Sequence, residues 1–223
     1  MPVGVLVTGG AALGPMRVRL EGAYAAIEPL DAEKHAVALW QSCGGEKNQT
    51  LWRYMHSGPF ADKDSFDAYL KDKSASEDPM YSAIVDRSTG RAAGHAAYMR
   101  IDRGQRVIEV GAIVYAPELQ KTRAGTEAMY LMARHAFEGL GYRRYEWKCN
   151  VLNEASHRAA RRLGFTFEGI FRQHMIVKGR NRDTAWYSML DSEWPARKQE
   201  FERWLAPENF DDTGRQKTRL SHI

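Results

Sequence analysis

The residues best placed to do chemistry lie in one run, Asn153-Glu154-Ala155-Ser156-His157-Arg158-Ala159-Ala160-Arg161-Arg162-Leu163-Gly164-Phe165. Asn153 and Ser156 are three apart, so on a helix both project from one face. Asn153 is a good N-cap, Ala155, Ala159 and Leu163 recur at helical spacing as an apolar stripe, and Gly164 supplies a left-handed stop. The run predicts a short helix presenting an amide and a hydroxyl near its positive end. A hydroxyl can donate a proton without carrying charge, whereas an amide binds and orients but does not titrate. The competing use of both groups is to satisfy the helix's own backbone donors.

Other titratable side chains could serve as a base. Glu109 interrupts the apolar segment Val107-Ile108-Glu109-Val110, where desolvation would raise its pKa usefully; a solvent-facing or edge-strand Glu explains the same pattern. His174, in Arg172-Gln173-His174-Met175, carries a group that titrates in the right range, and a structural histidine on a strand is its alternative. Asp183 and Tyr187 could contact an incoming ammonium or simply pack. Cys43 and Cys149 are too few for a disulfide framework and lack zinc spacing, which fits a reducing cytoplasm.

These residues need elements to position them. Residues 106–115 read as a buried strand. Pro117-Glu118-Leu119-Gln120-Lys121-Thr122-Arg123-Ala124-Gly125-Thr126 then turns into a long amphipathic helix in which Ala128, Met132, Ala136 and Leu140 are four apart. The start of that helix leaves backbone N–H groups unpaired at the positive end of its dipole, a place that can bind phosphate. Elsewhere, strands are expected at 22–30, 80–86, 92–102, 145–151, 165–178 and 183–190. Helices are expected at 31–39, 65–75 and 192–205. Between the first two helices, residues 50–60 concentrate aromatic and turn-forming residues.

The order of strand, Gln-x-x-x-x-Gly turn, helix, strand, Asn-x-x-Ser helix and Gly-Phe resembles the GNAT acetyltransferase superfamily. Within it, the sequence looks most like the branch of the ribosomal-protein N-terminal acetyltransferases. The similarity runs from about Gly22 to about Trp194. The superfamily turn is usually Arg/Gln-x-x-Gly-x-Gly/Ala; here Gln120 and Gly125 keep the first and last signature positions and Arg123 stands where the middle Gly is expected. A β-carbon there restricts left-handed geometry, and the guanidinium could itself reach a phosphate.

The resemblance implies an α/β fold with a mixed, mostly antiparallel central sheet flanked by helices and a V-shaped splay between two central strands. It implies acetyl-CoA as cosubstrate, with no metal. Backbone groups of Val114 and Tyr115 would pair with pantetheine amides, Gln120, Lys121, Thr122, Arg123, Ala124, Gly125 and Thr126 would hold the pyrophosphate, and Asn153 would orient the arm. Ser156 would protonate the departing thiolate, and Glu109 or His174 would serve as base. His174 falls in the strand where the ribosomal-protein type often has a carboxylate, and this chain has Met175 near that point. The acceptor would be a primary amine on a protein or peptide N-terminus or on a small molecule. A CoA-binding regulatory or RNA-associated module without turnover is the alternative.

A length of 223 residues and ordinary apolar and charged fractions suit one domain. The expected organisation is an N-terminal extension at 1–21, the acetyltransferase-like domain at 22–206 and a flexible polar tail at 207–223. No stretch is long and apolar enough to span a membrane and no signal peptide is expected. A net charge of +4 favours anionic partners without choosing among them, and nucleic acid is not expected as the main ligand. Arg158, Arg161 and Arg162 are either a solvated helix face or contacts for the 3′-phosphate of CoA. Monomer and homodimer both remain open.

Overall fold

The computed structural model describes residues 3–220. Its scaffold is an eight-stranded sheet in the order β1-β2-β3-β4-β5-β6-β8-β7. The strands are β1 (Leu20–Glu21), β2 (Ala25–Pro29), β3 (Met80–Asp86), β4 (Arg91–Asp102), β5 (Val107–Tyr115), β6 (Arg144–Asn150), β7 (Thr166–Val177) and β8 (Arg180–Leu190). Neighbours pair antiparallel except β5 and β6, which run parallel. The expected mixed, mostly antiparallel sheet flanked by helices is therefore present.

The central departure is between β5 and β6. They pair only over Val107–Glu109 and Arg144–Glu146, while β5 continues against β4 to Tyr115 and β6 continues against β8 to Asn150. Beyond Glu109 and Glu146 the two strands therefore diverge, and a V-shaped slot opens with these carboxylates at its vertex. The facing edges keep unpaired backbone groups on alternate residues, the condition for accepting an extended ligand as an added strand.

Helices cover both faces. On one lie α1 (Ala32–Cys43) and α2 (Lys63–Ala75); on the other lie α3 (Arg123–Arg134), α4 (Glu154–Arg162) and α5 (Trp194–Leu205). Asp31 and Asp62 start the first two by accepting from backbone N–H groups, Asp31 from Glu33 and Lys34, Asp62 from Ser65. The four-residue repeat that starts in α3 and continues through the π-helical turn His135–Gly139 does what its spacing requires: Ala128, Met132, Ala136 and Leu140 are all buried. Around them pack Phe137, Tyr145, Phe165 and Trp194, and each fully buried large apolar side chain contributes about 1.5–3 kcal/mol.

Some expectations change. On α4 the buried positions are His157 and Ala160, whereas Ala155 is exposed and Ala159 only half-buried. The face is rotated because His157 has partners in the interior: its ring nitrogens lie 2.6 Å from Tyr187 Oη and 3.0 Å from Val151 O. The N-terminal extension docks through Ala12 N to Arg103 O and Leu13 N to Leu140 O, each 2.9 Å.

The C-terminal segment, expected to be flexible, folds back on α5 over its described residues. Phe210 bridges to Gln216, Trp204 Nε1 donates to Gln216 Oε1 at 2.8 Å, Asn209 exchanges hydrogen bonds with Thr218, and Leu220 is buried. A polar composition hid this because the anchors are isolated, Phe210 and Leu220 among charged residues, with no apolar period to read. Residues 221–223 lie outside the described part.

Candidate active site

The slot leads to the turn that opens α3. Gln120 Nε2 donates to Tyr115 O at 3.0 Å, so the first signature residue ties the turn to the end of β5. Thr122 caps the helix: its Oγ1 accepts from Gly125 N at 3.0 Å and donates to Leu119 O at 2.8 Å. Gly125 is required by close approach, since a Cβ there would stand 2.5 Å from Leu119 O and 3.0 Å from the Tyr115 ring. Tyr115 Oη donates to Gly125 O at 2.7 Å and completes the clasp.

The left-handed residue in this turn is Lys121, at φ 61°, while Arg123 is the first helical residue. The expected strain at Arg123 therefore does not arise. Thr126 N bonds to Thr122 O, and Gly125 N is taken by Thr122 Oγ1. In this turn the N–H groups left free among the described residues are those of Lys121, Thr122, Arg123 and Ala124, a set displaced two residues toward the N-terminus from Arg123 to Thr126, where the resemblance had put them. Thr122, Arg123 and Ala124 border a cleft of about 490 Å³ between this turn and Tyr24, Asp86, Arg87 and Ser88. Arg123 is clamped there, its guanidinium 4.1 Å from the Phe210 ring centre and 5.0 Å from that of Tyr24. Arg162 is drawn inward, donating to Thr126 Oγ1 at 3.1 Å and lying 4.8 Å over Trp204. Arg158 and Arg161 stay exposed.

At the other strand of the slot, Asn153 is the N-cap of α4, its Oδ1 accepting from Ser156 N at 3.2 Å. Ser156 does not cap. Its Oγ accepts from Trp147 Nε1 at 2.9 Å. Indole is a donor only, so the serine's own proton remains available to donate. Val114 is buried in the β5 edge, and the Cys149 thiol, raised by burial, sits in β6 beside Ser156.

Glu109 is buried at the vertex. Its Oε2 accepts from Lys148 Nζ at 2.7 Å and Arg100 Nε at 2.8 Å. Lys148 also holds Glu146 Oε2 at 2.5 Å and lies 3.9 Å over the Trp186 ring. Arg144 links Glu146 onward to Glu168. Burial pushes the Glu109 carboxyl up, Lys148 and Arg100 oppose the rise, and Glu146 adds to it. Its Oε1 has no hydrogen-bond partner among the described residues, and Gly111 lies beside it, where a Cβ would stand 3.2 Å from Oε1 and closer still to Met99 Sδ.

Strand alternation separates these groups. Trp147 packs on Phe165 with α4 and Ser156, while Lys148, next in sequence, points to the opposite face with Glu109. The slot thus has a hydroxyl donor on one side and a buried carboxylate on the other.

His174 belongs to the carboxylate side. Its Nδ1 is 3.0 Å from Thr184 Oγ1, its ring packs on Phe171 and Trp186, and burial with Arg100, Arg182 and Lys148 pushes its pKa down. Asp183 and Tyr187 have other work. Asp183 Oδ1 accepts from Gln173 N and Asn181 Nδ2, supporting the irregular stretch of β7, and Tyr187 is buried against His157. The aromatic loop roofs this side: Tyr54 Oη donates to Leu152 O at 2.9 Å and Lys178 Nζ to Trp52 O at 2.9 Å. Trp52 itself is buried with Phe60, Phe66 and Tyr69.

Sequence reading missed Lys148 and Arg100. The signal lay in Tyr145-Glu146-Trp147-Lys148-Cys149, where apolar and charged residues alternate on a strand that both faces bury. Such alternation places a carboxylate and an ammonium together, and only the β5 register brings Glu109 to them.

With a splayed parallel pair, a capped turn of free N–H groups and a helix presenting Asn153 and Ser156, the geometry can be compared with known proteins. The profile of the acetyltransferase (GNAT) domain matches residues 26–166. The chain belongs to this GNAT acetyltransferase family. A GCN5-related N-acetyltransferase from Brucella melitensis is 48% identical, with a TM-score of 0.93 over 95% of this chain and 96% of that one. A GNAT-family protein from Chromobacterium violaceum is 39% identical, with a TM-score of 0.80 over 87% of this chain and 98% of that one. YdaF of Bacillus subtilis (strain 168), provisionally named a ribosomal N-acetyltransferase, is 27% identical over 177 residues, 77% of this chain and 92% of YdaF. The likeness to the ribosomal-protein branch is supported by that relative. As a GNAT acetyltransferase the chain belongs to a family that uses acetyl-CoA, and the free N–H groups, the clamped Arg123 and the open strand edges suit that molecule's phosphates and amide arm. No helix among the described residues is long and apolar enough to cross a membrane.

Proposed function

We propose that the protein moves the acetyl group of acetyl-CoA to a primary amine, on a protein or peptide N-terminus or a small molecule, by direct transfer in a ternary complex. The observation that carries this reading is the division of the slot, with Ser156 on the α4 face and Glu109 on the opposite face, joined through adjacent Trp147 and Lys148. Acetyl-CoA supplies an activated acyl group on sulfur. The new bond is N–C and the bond broken is C–S; the amine loses a proton and the departing sulfur gains one.

Ser156, its acceptor side held by Trp147, donates its proton to that sulfur and recovers one from solvent. Glu109 accepts the amine's proton at its free Oε1, either directly or through water; His174 is the second candidate. Asn153, with Oδ1 committed to the cap, has its Nδ2 to orient the pantetheine arm alongside the backbone of Val114 and Tyr115. The Lys121 to Ala124 N–H groups, Gln120, Gly125 and Thr126 shape the pyrophosphate turn. Burial pushes the Cys43 thiol to about 12 and raises that of Cys149, against a thiolate nucleophile and an acetyl-cysteine route. Two free thiols fit the reducing cytoplasm.

Initial-velocity kinetics test the mechanism. Varying acetyl-CoA at several fixed amine concentrations gives intersecting double-reciprocal lines for direct transfer; parallel lines mean a covalent acetyl-enzyme and contradict it.

A further inference from the structure

On the carboxylate side of the slot the charges do not balance. A continuous path of contacts runs outward from Glu109: Lys148, the Trp186 ring, His174, and Thr184 Oγ1. At its end Arg182 Nε donates to that same Thr184 oxygen at 3.2 Å, and Arg182 Nη1 reaches Nε2 of His56, an exposed residue of the aromatic loop, at 3.3 Å. Beside them Lys178 Nζ donates to the Trp52 carbonyl, its one side-chain hydrogen bond among the described residues.

Neither Arg182 nor Lys178 has a carboxylate within 4.0 Å among the described residues. The acids further in are already engaged, Glu109 by Arg100 and Lys148, Glu146 by Lys148 and Arg144. His56 adds no compensating charge; burial and the neighbouring Arg182, Arg100 and Lys178 push its pKa down. Arg182 is half-buried, and a guanidinium partly removed from water without a counter-ion is costly unless something anionic meets it. This mouth would also repel an amine that arrives as a bare ammonium.

We propose that the acceptor is an amine that also carries an anionic group, a carboxylate or phosphate, which Arg182 binds with Lys178 at the mouth while the amino group reaches toward Glu109. The arrangement resolves both difficulties. The anion offsets the repulsion on entry and neutralises the stranded guanidinium, in the planar paired geometry that arginine favours. The cations remaining around the amino group disfavour its charged form, which supplies the neutral nucleophile that acetyl transfer needs.

This inference rests on the acetyl-transfer reading, and matched acceptors separate the two. Ethanolamine against O-phosphoethanolamine, and the dipeptide amides Ser-Gln against Ser-Glu, each differ by one anionic group, and the pairs distinguish a small-molecule from a peptide acceptor. The expected result is a kcat/KM ratio favouring the anionic member of at least one pair by about 10-fold or more, shrinking with added salt. Arg182→Met should collapse that ratio and Arg182→Lys retain part of it, with thermal melts and acetyl-CoA affinity checking the fold. Thiol release with neutral members alone, an equal rate within both pairs, or a ratio unchanged in Arg182→Met overturns the anionic-acceptor inference and leaves acetyl transfer standing. No thiol release with any amine overturns the acetyl-transfer reading and this inference with it.

Discussion

Trp147 and Lys148 are neighbours that serve opposite sides of one slot, and the chemistry of each side is fixed by what they touch. Ser156→Ala removes the proposed proton donor but leaves Asn153 capping α4, so kcat should fall by about 100-fold or more while calorimetric acetyl-CoA affinity stays within a few-fold. Glu109 gives a pH test. Burial raises its carboxyl above the ordinary glutamate value of about 4.3, and a base works ionised, so kcat/KM should fall as pH drops through that raised value. Lys148 opposes the rise, so Lys148→Met should move the acid limb to higher pH, whereas Glu109→Gln should abolish it. A profile unaltered in both Glu109→Gln and His174→Gln would remove both candidate bases. Ser156 and Glu109 were candidates from the sequence with their roles open, because capping and solvent exposure are decided by partners on other elements: Trp147 of β6 for one, Lys148 of β6 and Arg100 of β4 for the other.

At the level of elements, the turn into α3 depends on two contacts of different visibility. Gly125 was legible as a signature residue, and its physical reason is the Leu119 carbonyl 2.5 Å from where a Cβ would stand. Gly125→Val should displace the clasp, destabilise the fold by about 1–3 kcal/mol in a denaturant titration, and weaken acetyl-CoA binding. The clamp on Arg123 was not legible, because Phe210 comes from a segment whose composition reads as solvated tail. Truncation after Ala206 uncovers Trp204 and releases Arg123 from Phe210. Both the melting temperature and the acetyl-CoA affinity should drop, and unchanged values for both would mean that the docked segment contributes nothing to the turn.

Across the molecule, the succession of strands and helices along the chain was readable because β3, β5 and α3 carry strong patterns, the order of strands in the sheet was not, and the splay followed from resemblance rather than from any local signal. What holds the slot's neighbourhood together was less visible. Glu127, on a helix face that reads as amphipathic, is buried and accepts from Ala23, Tyr24 and Ala25 N–H at 2.6–2.8 Å, so it pins the β1–β2 turn beside the phosphate cleft. Glu127→Gln keeps the shape but loses charge-assisted bonds and should cost about 2–4 kcal/mol of unfolding free energy. Acetyl transfer is tested by the free CoA thiol released from acetyl-CoA by the purified protein as amines and peptides are added. Amine-dependent release, saturating in both substrates, is the predicted result; tight acetyl-CoA binding with no release across a broad panel of amines would contradict it and leave a CoA-binding module in its place.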